Sequence, residues 1–384
     1  MVTLWQGMNI QNKIKHTIAF VFPSMRIGGV EKKILHLSNY LKRNFNIILI
    51  CLEAPADMVE EFNRLGVKII YLNKKYKYDI RIIYKLNKIF NIVRPLIVHT
   101  FLGGNYWGRF SALLSGVPYI IGNEDSLRYW QRKMDKYIFQ ILYRFTDVIV
   151  CNSKAIKTIT QKLTNTDDSK YVIIPNGFTV RSKISFDNIM NIHHNKTNSK
   201  IRLLSVGRLE WRKGYLEILK VIKDIVESGT LNFVYFIVGD GPQAGIIKKY
   251  ISNNKLDKNI VLTGALKDIE NIYLKSDLFI HVPVEEGFGI VLLEAMYFCL
   301  PIITTKVGGI PEVLPKDKNQ ILLVNDVSSN HVYKLITNYI HNYDIDKNGI
   351  LINRLHSEKY LWENVSKIYI NMYKQLIYRR KYIE

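Results

Sequence analysis

The sequence predicts an α/β protein made of two doubly wound halves facing a central cleft. Three observations predict it. Short apolar runs alternate with amphipathic stretches along nearly the whole chain. One polar stretch interrupts the alternation, which then restarts. The length, 384 residues, suits two domains, each large enough for its own core.

In the first half, apolar runs at Ile18–Phe22, Ile47–Leu52, Ile69–Leu72, Leu96–His99, Tyr119–Ile121, Val148–Cys151 and Tyr171–Ile174 read as strands. Val30, Ile34, Leu37 and Leu41 recur at helical spacing, so Val30–Leu41 reads as the first helix. Residues 181–200 are rich in Asn, Ser, His and Lys with few apolar anchors, and read as the interdomain linker between domains 1–180 and 201–359. Strands then follow at Arg202–Val206, Phe233–Val238, Ile260–Leu262, Leu278–Val282, Ile302–Thr304 and Gln320–Val324. Residues 360–384 read as a helix with Trp362, Val365, Ile368, Tyr369 and Met372 on one face; Lys374 and Arg379–Lys381 at its end suit the helix dipole. Ligands of such sheets bind outside the carboxyl ends of the strands.

Composition narrows the class. With 48% hydrophobic residues the chain is globular rather than disordered. No apolar run reaches the ~18 residues of a membrane-spanning helix, and Met1 to Gly7 lacks the basic and apolar pattern of a secretory signal. Cys51, Cys151 and Cys299 lie far apart in apolar stretches, which points to buried thiols in a reducing cytoplasm. Against 33 Asp and Glu stand 54 Lys and Arg, a net charge of +21. Such a surface attracts polyanions: nucleic acid, anionic lipid or phosphorylated small molecules.

Four segments carry candidate chemistry. Ser24 to Glu31 joins the first strand to the first helix through Gly28 and Gly29, which suits an anion at a helix N-terminus and equally suits a tight turn. It is not G-x-G-x-x-G, which argues against a dinucleotide enzyme. Val206 to Gly214 follows a strand with Arg208 and Lys213, a guanidinium fork and a point charge for phosphate oxygens; the alternative is a solvated basic loop. Gly239-Asp240-Gly241-Pro242 reads as a turn. His281 to Met296 is the strongest segment. Glu286 ends a loop, Gly287 and Gly289 free the backbone, and a helix starts near Ile290 with Glu294 in its second turn. That arrangement offers a helix N-terminus to phosphate and two carboxylates to sugar hydroxyls.

Here the sequence resembles a known family. Glu286 to Glu294 is similar to the Glu-x7-Glu motif of retaining glycosyltransferase family 4, the glycosyl transferases group 1 of the GT-B fold. The similarity continues through Ala295-Met296, Pro301 to Thr304 and Val307 to Val313. Gly28-Gly29-Val30-Glu31, Ile174-Pro175-Asn176-Gly177, Gly207-Arg208…Lys213-Gly214 and Gly239 to Pro242 fit in the family's order. The resemblance covers about Thr17 to Tyr373 and implies two Rossmann-like domains with the last helix, within 360–384, crossing back onto the first. It implies that Arg208 and Lys213 hold the donor diphosphate, that the Gly28–Gly29 loop closes over it, and that Glu294 binds the ribose. Glu286 would bind the transferred sugar, Phe288, Gly289, Ile290 and Val291 would supply backbone contacts, and Leu266 would meet the base.

Departures from the family pattern are local. Thr179 stands where Asp often follows Asn-Gly-Val. Asn123 and Glu124 stand where many members carry His, so a catalytic His does not carry over there. His99 fits the His often found after the preceding strand, with a buried hydrogen-bonded His as the alternative.

The resemblance implies front-face transfer of a sugar with retention, from a nucleotide sugar, UDP expected, to a glycan or lipid-linked oligosaccharide in capsule, exopolysaccharide or O-antigen assembly. The need is charge stabilisation on the departing phosphate, so no metal or other cofactor is expected. Asp344-Ile345-Asp346 mimics a metal-binding Asp-x-Asp in a polar surface stretch. Between Lys74 and Arg94 stand seven Lys and Arg with Tyr76, Tyr78, Tyr84 and Phe90, and Leu127 to Arg144 adds Arg128, Trp130, Arg132, Lys133, Lys136, Tyr137 and Tyr143. Cations with aromatics suit an anionic membrane surface, hence a cytoplasmic protein peripheral on the inner face; solvated helix faces are the alternative. Two rival functions are a nucleotide-sugar epimerase on the same scaffold and a basic nucleic-acid-binding protein. The second lacks any recognisable nucleic-acid module, so no nucleic-acid partner is expected.

Overall fold

The structure, a computed structural model, describes residues 15–76, 78–102, 104–125, 133–181, 183–194, 200–229, 232–317, 320–325, 329–341 and 346–381. The chain divides into two compact units, Met1–Asn123 with Lys136–Val150 and Ile370–Glu384, and Glu124–Asp135 with Cys151–Tyr369.

Seven strands form the first sheet: β1 (Thr17–Phe22), β2 (Asn46–Cys51), β3 (Lys68–Tyr71), β4 (Ile97–Phe101), β5 (Tyr119–Glu124), β6 (Val148–Cys151) and β7 (Tyr171–Ile173), in the order β3-β2-β1-β4-β5-β6-β7. Strands β1 to β5 pair in parallel. Helices α1 (Gly29–Leu41), α2 (Val59–Asn63), α3 (Arg81–Val93), α4 (Gly104–Leu114), α5 (Lys133–Arg144) and α6 (Lys154–Thr164) follow successive strands. Strand interiors are buried on both faces, so they read as near-continuous apolar runs rather than alternating ones.

Helix α7 (Phe186–His194) forms inside the expected linker, and its Ile189 and Met190 enter the second unit's core. The six-stranded sheet comprises β8 (Ile201–Val206), β9 (Phe233–Val238), β10 (Ile260–Gly264), β11 (Leu278–His281), β12 (Ile302–Thr305) and β13 (Ile321–Val324), ordered β10-β9-β8-β11-β12-β13 and parallel throughout. Its helices are α8 (Tyr215–Glu227), α9 (Ala244–Asn253), α10 (Glu270–Lys275), α11 (Ile290–Tyr297), α12 (Ile310–Val313), α13 (Ser329–His341) and α14 (Lys347–Glu358); α15 (Trp362–Lys381) follows, counted with the second unit up to Tyr369 and with the first from Ile370. Adjacent residues feed opposite faces. Leu204, Phe279 and Ile302 join one core cluster; Leu203, Ile280 and Ile303 join the other. The strand order turns back between β8 and β11, and that switch point is where an open α/β sheet leaves a crevice.

Two expectations are corrected in detail. Strands β4 and β5 run further than their apolar runs suggest, so His99 lies inside β4 and Asn123 and Glu124 end β5, all buried. On α15, Trp362, Val365, Tyr369 and Met372 are buried as expected, but Ile368 is 42% exposed because the buried stripe continues through Tyr373 and Leu376 instead. All three cysteines are buried and free. Among the described residues no helix is long and apolar enough to cross a membrane.

Candidate functional site

The two strands at the switch point of the six-stranded sheet end in the two segments singled out from the sequence. Strand β8 runs into Gly207-Arg208, and β11 runs through His281 into Glu286. Their loops are tied together by main chain: the Arg212 carbonyl accepts the amides of Val284 (2.7 Å) and Glu285 (3.2 Å). A short 3-10 turn, Trp211–Lys213, ends on Gly214, whose φ is +70°. A Cβ there would run into the Val282 carbonyl, so glycine is required for conformation and for space. The tie places Lys213 Nζ 2.6 Å from Glu286 Oε2.

Glu286 is saturated with donors. Oε2 also meets His281 Nε2 at 3.0 Å, and Oε1 accepts the Gly287 amide at 3.0 Å. Its side chain is 11% exposed and that of Lys213 19%. Burial alone would raise the Glu286 carboxyl, but the Lys213 ammonium and the His281 hydrogen bond outweigh it and hold the group well below the ordinary carboxylate range. Burial holds His281 low, against the pull of Glu286, so the ring is neutral near pH 7 and Nε2–H donates to the carboxylate. The Glu286 carbonyl accepts the Gly309 amide at 3.1 Å; a Cβ on Gly308, where φ is +52°, would collide with the same carbonyl. Ser153 Oγ donates to the Gly287 carbonyl at 2.9 Å.

Gly289, with φ +92°, opens α11. One turn in, Glu294 accepts a 2.9 Å hydrogen bond from the hydroxyl of Tyr273 on α10. Tyr273 is fully buried, and burial together with the neighbouring Glu294 charge pushes its hydroxyl well above the usual tyrosine range, so it stays a donor. The helix start also bears Phe288, Ile290 and Val291, with Phe288 buried in the core.

Arg208 is exposed on its loop. The Gly239 to Pro242 turn props that loop from below: Leu209 N donates to the Asp240 carbonyl and Gln243 N to the Leu209 carbonyl, both at 2.9 Å. The turn and the Arg208 loop are thus joined by main-chain hydrogen bonds into one structure. Leu266 is 41% exposed on the stretch between β10 and α10. In the other unit, Gly28 and Gly29 lie at the start of α1, where Glu31 is buried and accepts a weak bond from Ser24 (3.4 Å). His99 is fully buried there, its Nδ1 2.6 Å from the Tyr373 hydroxyl and its ring stacked on Phe101 at 4.3 Å.

Within the second unit, then, the fold brings Lys213 onto Glu286 and sets Glu294 on the adjoining helix. Sequence reasoning missed two of the groups that hold the carboxylates, His281 and Tyr273. His281 carried a signal, a polar residue ending an apolar strand five positions before Glu286. Tyr273 carried none, because it reaches Glu294 from a separate helix. Asp346, from the Asp-x-Asp triplet, caps α14 through the Asn348 amide at 3.1 Å; Asp344 and Ile345 lie outside the described residues. Among the described residues no group of three or more His, Cys, Asp and Glu is placed to hold a metal ion.

Comparison with known proteins identifies the family. Glycosyltransferase Family 4 matches residues 27–181, and Glycosyl transferases group 1 matches residues 186–354. The UDP-Gal:alpha-D-GlcNAc-diphosphoundecaprenol alpha-1,3-galactosyltransferase of Escherichia coli is 28% identical over 336 residues, covering 83% of this chain and 86% of its own. A phosphatidylinositol N-acetylglucosaminyltransferase subunit of Saccharomyces cerevisiae is 25% identical over 325 residues, 78% of this chain and 69% of its own. Among solved structures, Anabaena HepE in complex with UDP and glucose superposes with a TM-score of 0.79 at 15% identity, over 93% of this chain and 99% of that one. Two family matches in succession along one chain, over two parallel α/β sheets, put it in glycosyltransferase family 4: it is a GT-B glycosyltransferase that uses a nucleotide-sugar donor.

Proposed function

We propose that the chain transfers a hexose from a UDP-sugar, with retention and without a metal, to a lipid-linked glycan. The observation that carries this is the pair of held carboxylates, Glu286 and Glu294, beside the basic loop that ends in Lys213. In this reading Arg208 and Lys213 take the diphosphate, Glu294 the ribose, Glu286 a sugar hydroxyl, and the backbone from Phe288 to Val291 the phosphate and sugar oxygens; Leu266 meets the base. The bond from anomeric carbon to diphosphate oxygen breaks as the acceptor oxygen bonds the same face. The acceptor's proton passes to the departing phosphate oxygen. Charge builds on that phosphate, and fixed cations and a helix N-terminus stabilise it without a protein nucleophile.

UDP is supported by the donor named for the Escherichia coli relative and by the UDP bound to HepE. The diphosphoundecaprenol acceptor named for that relative supports a lipid-linked acceptor and a place in capsule, exopolysaccharide or O-antigen assembly. An exposed row of apolar and basic side chains in the first unit supports the same picture. Along α3 and its N-cap, Ile80, Tyr84 and Ile92 are 73%, 72% and 73% exposed, with Lys88 exposed in the same row. Arg81 is instead paired with Asp79 (2.7 Å), and Lys85 donates to the Leu72 carbonyl (2.7 Å). Part of the Leu127–Arg144 segment lies outside the described residues. We place the working enzyme at the inner face of the cell membrane.

The test is UDP titration followed by thermal unfolding, with and without chelator, beside hydrolysis of UDP-glucose and UDP-galactose. At ~100 times its dissociation constant UDP adds about 2.7 kcal/mol. Loss of all binding in chelator overturns metal independence; absence of UDP binding overturns the choice of base.

A further inference from the structure

Lys213 is needed in two places. Its Nζ sits 2.6 Å from Glu286 Oε2, and the proposed function asks it to hold a diphosphate. The diphosphate carries more charge than one carboxylate and draws the ammonium toward it, at the expense of its hold on Glu286. Glu286 is then a nearly buried carboxylate that has lost its counter-ion, a situation that is costly unless other donors remain. One side-chain donor remains on the same oxygen. His281 Nε2 lies 3.0 Å from Glu286 Oε2, and the His281 side chain is 4% exposed.

The two donors differ in how they are held. Lys213 sits at the end of a flexible four-carbon stem on a loop. His281 sits in β11, in register with Thr304 of β12, and its ring stacks on that of Phe279 with centroids 6.4 Å apart. Its Nε2–H is therefore a fixed reference point. We propose that His281 is a positioning residue that keeps the Glu286 carboxylate oriented when Lys213 leaves it for the donor diphosphate, so that the acceptor direction Lys213 vacates is presented to a hydroxyl of the transferred sugar. This rests on the donor-site reading above. It also assigns Lys213 and Glu286 an exchange of partners: ammonium from carboxylate to diphosphate, carboxylate from ammonium to sugar.

The experiment compares wild type with His281→Leu, His281→Gln and His281→Asn in UDP affinity and in turnover of UDP-glucose and UDP-galactose. Leu removes the donor at similar volume. Gln places an amide nitrogen near the position of Nε2; Asn is too short. Loss of one charge-assisted hydrogen bond lowers kcat by at least about ten-fold in the Leu and Asn variants. UDP affinity stays within about three-fold, because the positioned carboxylate touches the sugar and not the diphosphate. Gln restores most of kcat. Should the Leu variant fail to fold, the Gln and Asn variants still decide the matter: equal turnover in the two overturns the proposal. Wild-type turnover in His281→Leu overturns it as well, while the donor-site reading stands. A wild-type protein that neither binds UDP nor turns over either sugar nucleotide overturns both.

Discussion

Replacing each of the two carboxylates by its amide separates the roles proposed for them. In Glu286→Gln, neither amide orientation suits the site. Oε2 faces two donors, Lys213 at 2.6 Å and His281 at 3.0 Å, and Oε1 faces the Gly287 amide at 3.0 Å. One side of the amide therefore always meets a donor with a donor. The weaker hold on Lys213 frees its ammonium, so UDP affinity is unchanged or rises. Turnover falls, because the lost contact lies beside the carbon where positive charge develops; at about 1.5–3 kcal/mol for a charge-assisted contact the loss is roughly one to two decades. In Glu294→Gln the order reverses. The Tyr273 hydroxyl still has an oxygen to bond, but the ribose proposed to bind Glu294 loses a charged acceptor, and UDP affinity falls by about one decade or more. The assay is UDP affinity by calorimetry with turnover of the best sugar nucleotide for each variant. Acidification is a control. Glu286 is held below its ordinary range, so it stays ionised as pH falls toward about 4.5, the unperturbed glutamate region; any loss of turnover between pH 7 and 5 belongs to another group. Loss of UDP binding in Glu286→Gln with retention in Glu294→Gln would refute the assignment.

Two further outcomes follow from the geometry. Tyr273→Phe removes the hydroxyl 2.9 Å from Glu294 while keeping the ring stacked on Phe298; UDP affinity falls several-fold, about 1 kcal/mol, with folding kept, and unchanged calorimetry would show that Glu294 needs no help from α10. Tyr84→Ser with Ile92→Ser reduces co-sedimentation with anionic vesicles, and Lys88→Glu costs a further ~1 kcal/mol, whereas charge reversal at Arg81, already paired with Asp79, has a smaller effect; equal binding by all variants would leave α3 a solvated helix face.

The sequence alone determined the architecture. Strands buried on both faces must be apolar along their length, and the helices between them must carry one apolar stripe, so β1, β2, β9 and β11 were visible within a residue or two. The site segments were visible for a related reason: Gly287 and Gly289 and the charged Glu286 and Glu294 stand out beside apolar strand and helix sequence, and Arg208 and Lys213 follow a strand in a basic loop. The ends of β4 and β5 were not visible, because Thr100, Asn123 and Glu124 continue strands through hydrogen bonds rather than apolar character. Tertiary structure alone decided which groups hold the carboxylates. Tyr273 is 21 positions from Glu294 and Lys213 is 73 from Glu286, and only the parallel order that sets β8 beside β11, with α10 leading into β11, brings them within bonding distance. Local pattern records what each residue buries; hydrogen-bond partners across a sheet depend on strand order, which no short-range periodicity encodes.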